Sequence, residues 1–147
     1  MMVLTKSRLV DILGEYLAKF EVEDKTGKIT WCTRALEKMF GYARQGELEG
    51  QAVEVLVPIA FREKHAAIHR PSFMANPEPR MMGRRLVDGS WMELMGQRKD
   101  GSTFPVEVML IPCACDGINV TVGIVVDMTD RVKRDTGSFP KITSPGK

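Results

Sequence analysis

Long apolar runs are missing from this 147-residue chain. None approaches the roughly 18 residues that a membrane-spanning helix needs, so no membrane partner is expected. The start, MMVLTKSRLVDILGEYL, is broken by Lys6, Arg8, Asp11 and Glu15, and so lacks the apolar core of a secretory signal. A surplus of one charge is missing too. Lys plus Arg number 21 and Asp plus Glu 19, a formal net charge of +2, which argues for no nucleic-acid partner. Cysteine is scarce and odd in number, at three. That fits reduced thiols in a cytoplasmic protein better than a disulfide framework. There is no phosphate-binding loop, no nucleophile with a base beside it in sequence, and no convincing pair of carboxylates, so an enzyme is not expected.

What remains is an ordinary soluble composition, 44% apolar and 27% charged, in a length that fits one domain with a real core. Residues 7–20, SRLVDILGEYLAKF, carry Leu9, Val10, Ile12, Leu13, Tyr16, Leu17 and Phe20 at helical spacing. They predict an amphipathic helix, which Gly14 weakens by about 1 kcal/mol. FEVEDKTGKITWC predicts a hairpin with strands near 20–23 and 28–32 around Gly27. TRALEKMFGY predicts a short helix begun by Thr33 and stopped by Gly41. EGQAVEVLVP is a further short helical or turn segment ended by Pro58. Residues 59–70 predict a helix closed by Pro71, and ANPEP a loop.

The remainder reads as strands: WMELMGQR, TFPVEVMLIPC and NVTVGIVVDM, with turns at Asp100-Gly101 and CDGI. Alternation puts Val106, Val108 and Leu110 on one face and Glu107, Met109 and Ile111 on the other. Both faces are largely apolar, so both need cover: short helices on one, the N-terminal helix on the other. The expectation is an α+β domain with one five-stranded antiparallel sheet. VKRDTGSFPKITSPGK is expected to be a flexible tail.

The order of motifs resembles a PAS domain. ITWCTRALEKMFGY is similar to the strand and helix near the start of that fold, GELEGQAVEVLVP to its short central helices, GQRKDGSTFPVEVMLIP to its central hairpin, and GIVVDMTDR to its last strand and closing Asp-x-Thr segment. The resemblance covers residues 20–131 in one register, with 1–19 as a capping or dimerising helix and 132–147 as the tail. It implies a sensory module that binds a small ligand or cofactor between helices and sheet and signals through dimerisation or a separate output protein. Asp127-Met128-Thr129 resembles the junction through which such domains pass signals on. There Asp127 is expected to pair with Arg131 or to accept backbone hydrogen bonds. The sequence departs from the family at Cys32, where Asn is usual, and in GRRLVDGSWMELMGQ, which is several residues longer than the usual approach to the central hairpin.

FREKHAAIHR holds both histidines. On an ideal helix Phe61, His65, Ile68 and Ser72 share one face, which points His65 inward and leaves His69 on the flank. In the oxygen-sensing PAS domains of rhizobial histidine kinases a histidine on this helix holds heme iron, and FREKH lines up with it at His65. The resemblance therefore implies a cofactor site of His65, Ile68, Met82, Val108, Leu110, Gly123 and Val125, with His65 a metal ligand only if heme is bound. Gly123 would leave room for a bulky ligand to approach the sheet. A backbone-bonded buried histidine is the competing reading. Zinc on His65 and His69 is not expected, because the HExxH glutamate is absent. Flavin is not expected, because no Asn-Cys-Arg-Phe-type segment is present. Met74, Met81 and Met82 read as core filling. Arg80, Arg84, Arg85 and Arg98, interrupted by Asp88 and Glu93, read as a solvated surface. The Arg80–Trp91 segment, beside the pocket, is expected to move with ligand. The alternative function is a ligand-free dimerisation module.

Overall fold

The computed structural model describes residues 16–83 and 94–136. The N-terminal helix expected over 7–20 lies outside them up to residue 15, and the chain is already extended from Lys19. Strand β1 (Lys19–Glu23) turns at Gly27, whose φ is +69°, into β2 (Ile29–Cys32). Helix α1 (Arg34–Met39) starts where the Thr33 hydroxyl accepts from the Leu36 N–H at 3.3 Å and stops at Gly41, φ +79°. Residues 50–53 then run along the free edge of β2, with Gly50 N–H donating to Ile29 O at 2.7 Å and Ile29 N–H to Gln51 O at 2.8 Å. A 3₁₀ turn, Val53–Leu56, follows.

A continuous helical rod fills 59–75. It consists of a 3₁₀ turn (Ile59–Phe61), α2 (Arg62–Lys64), a π-helical turn (His65–His69) and α3 (Arg70–Ala75). Pro71 does not close it. It sits inside the rod, at the second residue of α3. The π turn just before it accommodates the break in the ladder.

The sheet is antiparallel, in the order β2, β1, β6 (Ile118–Asp127), β5 (Thr103–Cys115) and β3 (Arg80–Met82), with β4 (Met95–Gln97) also on β5. Among the described residues it has six strands rather than five. The strand before the central hairpin comes in two pieces, β3 (Arg80–Met82) and β4 (Met95–Gln97), both paired to the long β5 (Thr103–Cys115). The extra residues noted in sequence fall between them, and 84–93 lie outside the description. Strand β6 (Ile118–Asp127) returns through Asp116 and Gly117, both at positive φ (49° and 77°), the conformation of a type I′ hairpin turn.

Helix α4 (Thr129–Thr136) carries the chain five residues beyond the expected start of the tail, and 137–147 lie outside the description. Met128 and Val132, 4% exposed each, anchor its start, and Met128 N–H donates to Pro105 O at 2.9 Å. The core lies between the sheet's inner face and the helices. Phe20, Val22, Ile29, Leu36, Phe40, Leu48, Phe104, Val106 and Val125 are all buried there.

Candidate functional site

The expected alternation of β5 holds: Val106 and Val108 are buried and Leu110 packs against the core. Pairing then brings five of the seven expected site residues together. Met82 lies opposite Val108, Val108 opposite Val125, and Leu110 opposite Gly123. They form one continuous apolar wall on the inner face.

The space over Gly123 is taken. Gly123 lies opposite Phe20 on β1, and a methyl group added at Gly123 would fall 2.1 Å from the Phe20 ring. The glycine makes room for the chain's own aromatic ring, which is 6% exposed.

The other two residues stand apart. Ile68 is 54% exposed, and Phe73 is the buried side chain of α3. The physical reason is the π turn. Its bond from Arg70 N–H to His65 O spans five residues, so each residue turns less than in an α-helix and the side chains after His65 fall out of the expected phase. The His65 ring is engaged by an acidic side chain. Its Nδ1 lies 2.9 Å from Glu54 Oε1, an oxygen that also accepts from Arg70 Nε at 3.1 Å. The Arg70 guanidinium rests on Gly27, where a side chain would strike it at 2.5 Å. The His65 and His69 rings are 6.5 Å apart. Burial alone would push the Glu54 carboxyl up. The bonds from His65 and Arg70 outweigh that and hold it below the ordinary 4.5.

A heme fits poorly here. A tetrapyrrole on this wall would overlap the Phe20 ring, and the His65 imidazole is tied to Glu54. Cys32 offers no reactive thiolate either. Burial pushes its thiol up to about 12, with Glu37 and Glu49 adding to the rise and Arg34 opposing it.

A polar route runs from the core to the closing segment. Phe40 and Phe104 meet edge to face at 5.1 Å. The Arg98 guanidinium lies 3.9 Å over the Phe104 ring, donates to Met39 O at 3.3 Å and reaches Asp127 Oδ2 at 3.5 Å. Asp127 Oδ1 accepts from the Thr129 N–H at 2.9 Å and the Thr129 hydroxyl at 2.5 Å, capping α4. The expected backbone acceptance is present, but the ion-pair partner is Arg98. The central hairpin brings that arginine beside Asp127, whereas sequence proximity suggested Arg131. Sequence reasoning also missed Phe20, Glu54 and Arg70. The signal for Phe20 was a glycine inside a strand, once the strand pairing is known.

Among the described residues the chain is a single antiparallel sheet with short helices and a capped helix at its exit, and its role as a signalling module is read from its family. The chain matches the family model described as PAS domain over residues 18–130, and it belongs to that family. The PAS domain of an HTR-like protein from Haloarcula marismortui is similar with a TM-score of 0.63 at 21% identity, over 82% of this chain and 90% of that one. The PAS domain of a Colwellia psychrerythraea protein is similar with a TM-score of 0.64 at 21% identity, over 86% and 98%. At such identities the likeness is one of fold. An uncharacterized protein of Azorhizobium caulinodans is 32% identical over 114 residues, and this chain spans 76% of itself but 14% of that relative. Among the described residues no helix is long and apolar enough to cross a membrane.

Proposed function

We propose that this PAS domain is a non-catalytic, cytoplasmic sensory module. A small apolar ligand held against Met82, Val108, Leu110 and Val125 shifts the packing of Phe104, and the shift reaches α4 through Arg98 and Asp127. The output then passes to a second copy of the chain or to a separate partner protein. The observation that carries this reading is the position of Arg98, in contact with the core aromatic ring and with the cap of the exit helix at once. A ligand switches such a module only if it binds the two states differently.

The test needs no ligand. Leu110→Ala perturbs the wall, Arg98→Ala cuts the route, and amide exchange at Met128 and Val132 is read in both variants and in the double variant. Coupling predicts that Leu110→Ala alters exchange in α4 and that the effect shrinks when Arg98 is gone. Strictly additive effects would overturn the reading.

The filled space over Gly123 favours a second reading, a ligand-free interaction module. The outer face of the sheet, where Met109, Ile111, Val122 and Ile124 are part-exposed and Val126 is 49% exposed, would then serve pairing. Solution mass measurement separates a dimer from a monomer.

A further inference from the structure

Planar cofactors that lie against a sheet need a place where no side chain rises from it. On the inner face of this sheet Gly123 is such a place, flanked by Leu110 on β5 and by Phe20 on β1; Gly96, on the edge strand β4, is another and lies under Phe40 and Phe104. Phe20 covers Gly123. Three ring carbons would lie 2.1–2.7 Å from a methyl group built on Gly123, so the ring tip occupies the space a side chain there would take. The ring is held by its surroundings: Phe20 pairs with Cys32 on its other side, and both are buried in the core cluster. A ligand on this wall therefore cannot reach the sheet at its centre while the ring stays.

We propose that Phe20 is the specificity-determining residue of the inner face. Its ring takes the place of a flat polycyclic group, so the wall serves only ligands small enough to share the space with a phenyl ring. Tetrapyrroles and tricyclic flavins are excluded by volume, not by the lack of a ligating side chain. This inference rests on the proposed reading of Met82, Val108, Leu110 and Val125 as a ligand wall. A glycine opposite an aromatic also serves purely to stiffen a sheet, and the experiment distinguishes that role from this one.

The probes are indole and hemin, offered to the intact chain and to its Phe20→Leu and Phe20→Ala variants. Truncating a buried ring leaves an apolar cavity, and such cavities take up small aromatic molecules. Indole is expected to bind Phe20→Ala about tenfold or more tighter than the parent, with amide shifts centred on Leu110, Gly123 and Val125. Phe20→Leu, the milder change and the more certain to fold, is expected to fall between. The parent is expected to give no stoichiometric Soret change with hemin. One-to-one hemin binding by the parent overturns the inference. So does equal indole affinity in parent and folded Phe20→Leu, which would leave the ring a purely structural stiffener. Indole bound at Gly123 that leaves α4 exchange unchanged supports the size filter while counting against the sensory reading.

Discussion

Glu37 is a side chain whose loss should be costly. It is 1% exposed, on α1, and its carboxylate accepts from Gly46 N–H at 3.1 Å and from Leu48 N–H at 3.3 Å. Arg34 Nη1 lies 3.7 Å away, and the same guanidinium donates to Tyr42 O at 2.9 Å and Ala43 O at 2.6 Å. Together the two side chains knot the 42–48 loop onto the helix. Glu37→Ala strands two backbone donors, one of them on Leu48, which is fully buried at 0%. Each stranded buried donor costs about 1–3 kcal/mol. Arg34 adds little to this, because its partly exposed guanidinium keeps its two carbonyl acceptors when Glu37 is gone. The two donors together set the expected loss at about 3–5 kcal/mol, a large share of the roughly 5–15 kcal/mol that holds a domain folded. For a chain of this size it would lower Tm by about 6–20 °C. Glu37→Gln keeps the volume and one acceptor but turns an NH₂ toward a backbone donor, and should cost about half as much. Urea unfolding followed by circular dichroism gives both values from the midpoints at unchanged slope. A loss below about 1 kcal/mol for Glu37→Ala would refute the knot, because the stranded amides would then have found other partners.

Two further outcomes follow from titratable groups. The Glu54 carboxyl, which meets His65 and Arg70, is a stronger acid in the folded chain than its ordinary 4.5, so the unfolded chain binds the extra proton first. Its stabilisation is present in full above that value and lost as pH falls through the lower folded one. Urea midpoints from neutral to acid pH should therefore fall less steeply for Glu54→Gln than for the parent, and equal slopes would remove Glu54 from the account. Cys32, with its thiol pushed up to about 12, should resist thiol reagents at neutral pH until the chain unfolds, whereas exposed Cys113 reacts at once. Peptide mapping after a timed pulse of iodoacetamide reads both. Labelling of native Cys32 as fast as Cys113 would contradict its burial.

The features legible in the sequence are those decided within a few residues. Thr33 caps α1 and Gly41 ends it, because both act on the backbone beside them. Asp100-Gly101 and Asp116-Gly117 make their turns for the same reason. The alternation in β5 announced its inner face, and with it most of the apolar wall. The two-piece edge strand was visible as surplus length but not as two strands, since pairing to β5 is a property of the partner.

Tertiary structure alone decided which polar and aromatic groups meet. Helical spacing pointed His65 at the wall, whereas the fold brings Glu54 from the preceding 3₁₀ turn to its Nδ1. The strand pairing set Phe20 against Gly123, and the hairpin carried Arg98 to Asp127. The chain by itself determined the turns, the caps and the apolar faces, because those are fixed by local sterics and by burial. The occupant of the space over Gly123 and the partners of His65 and Asp127 depend on register and helix phase, which only the packed sheet and helices set.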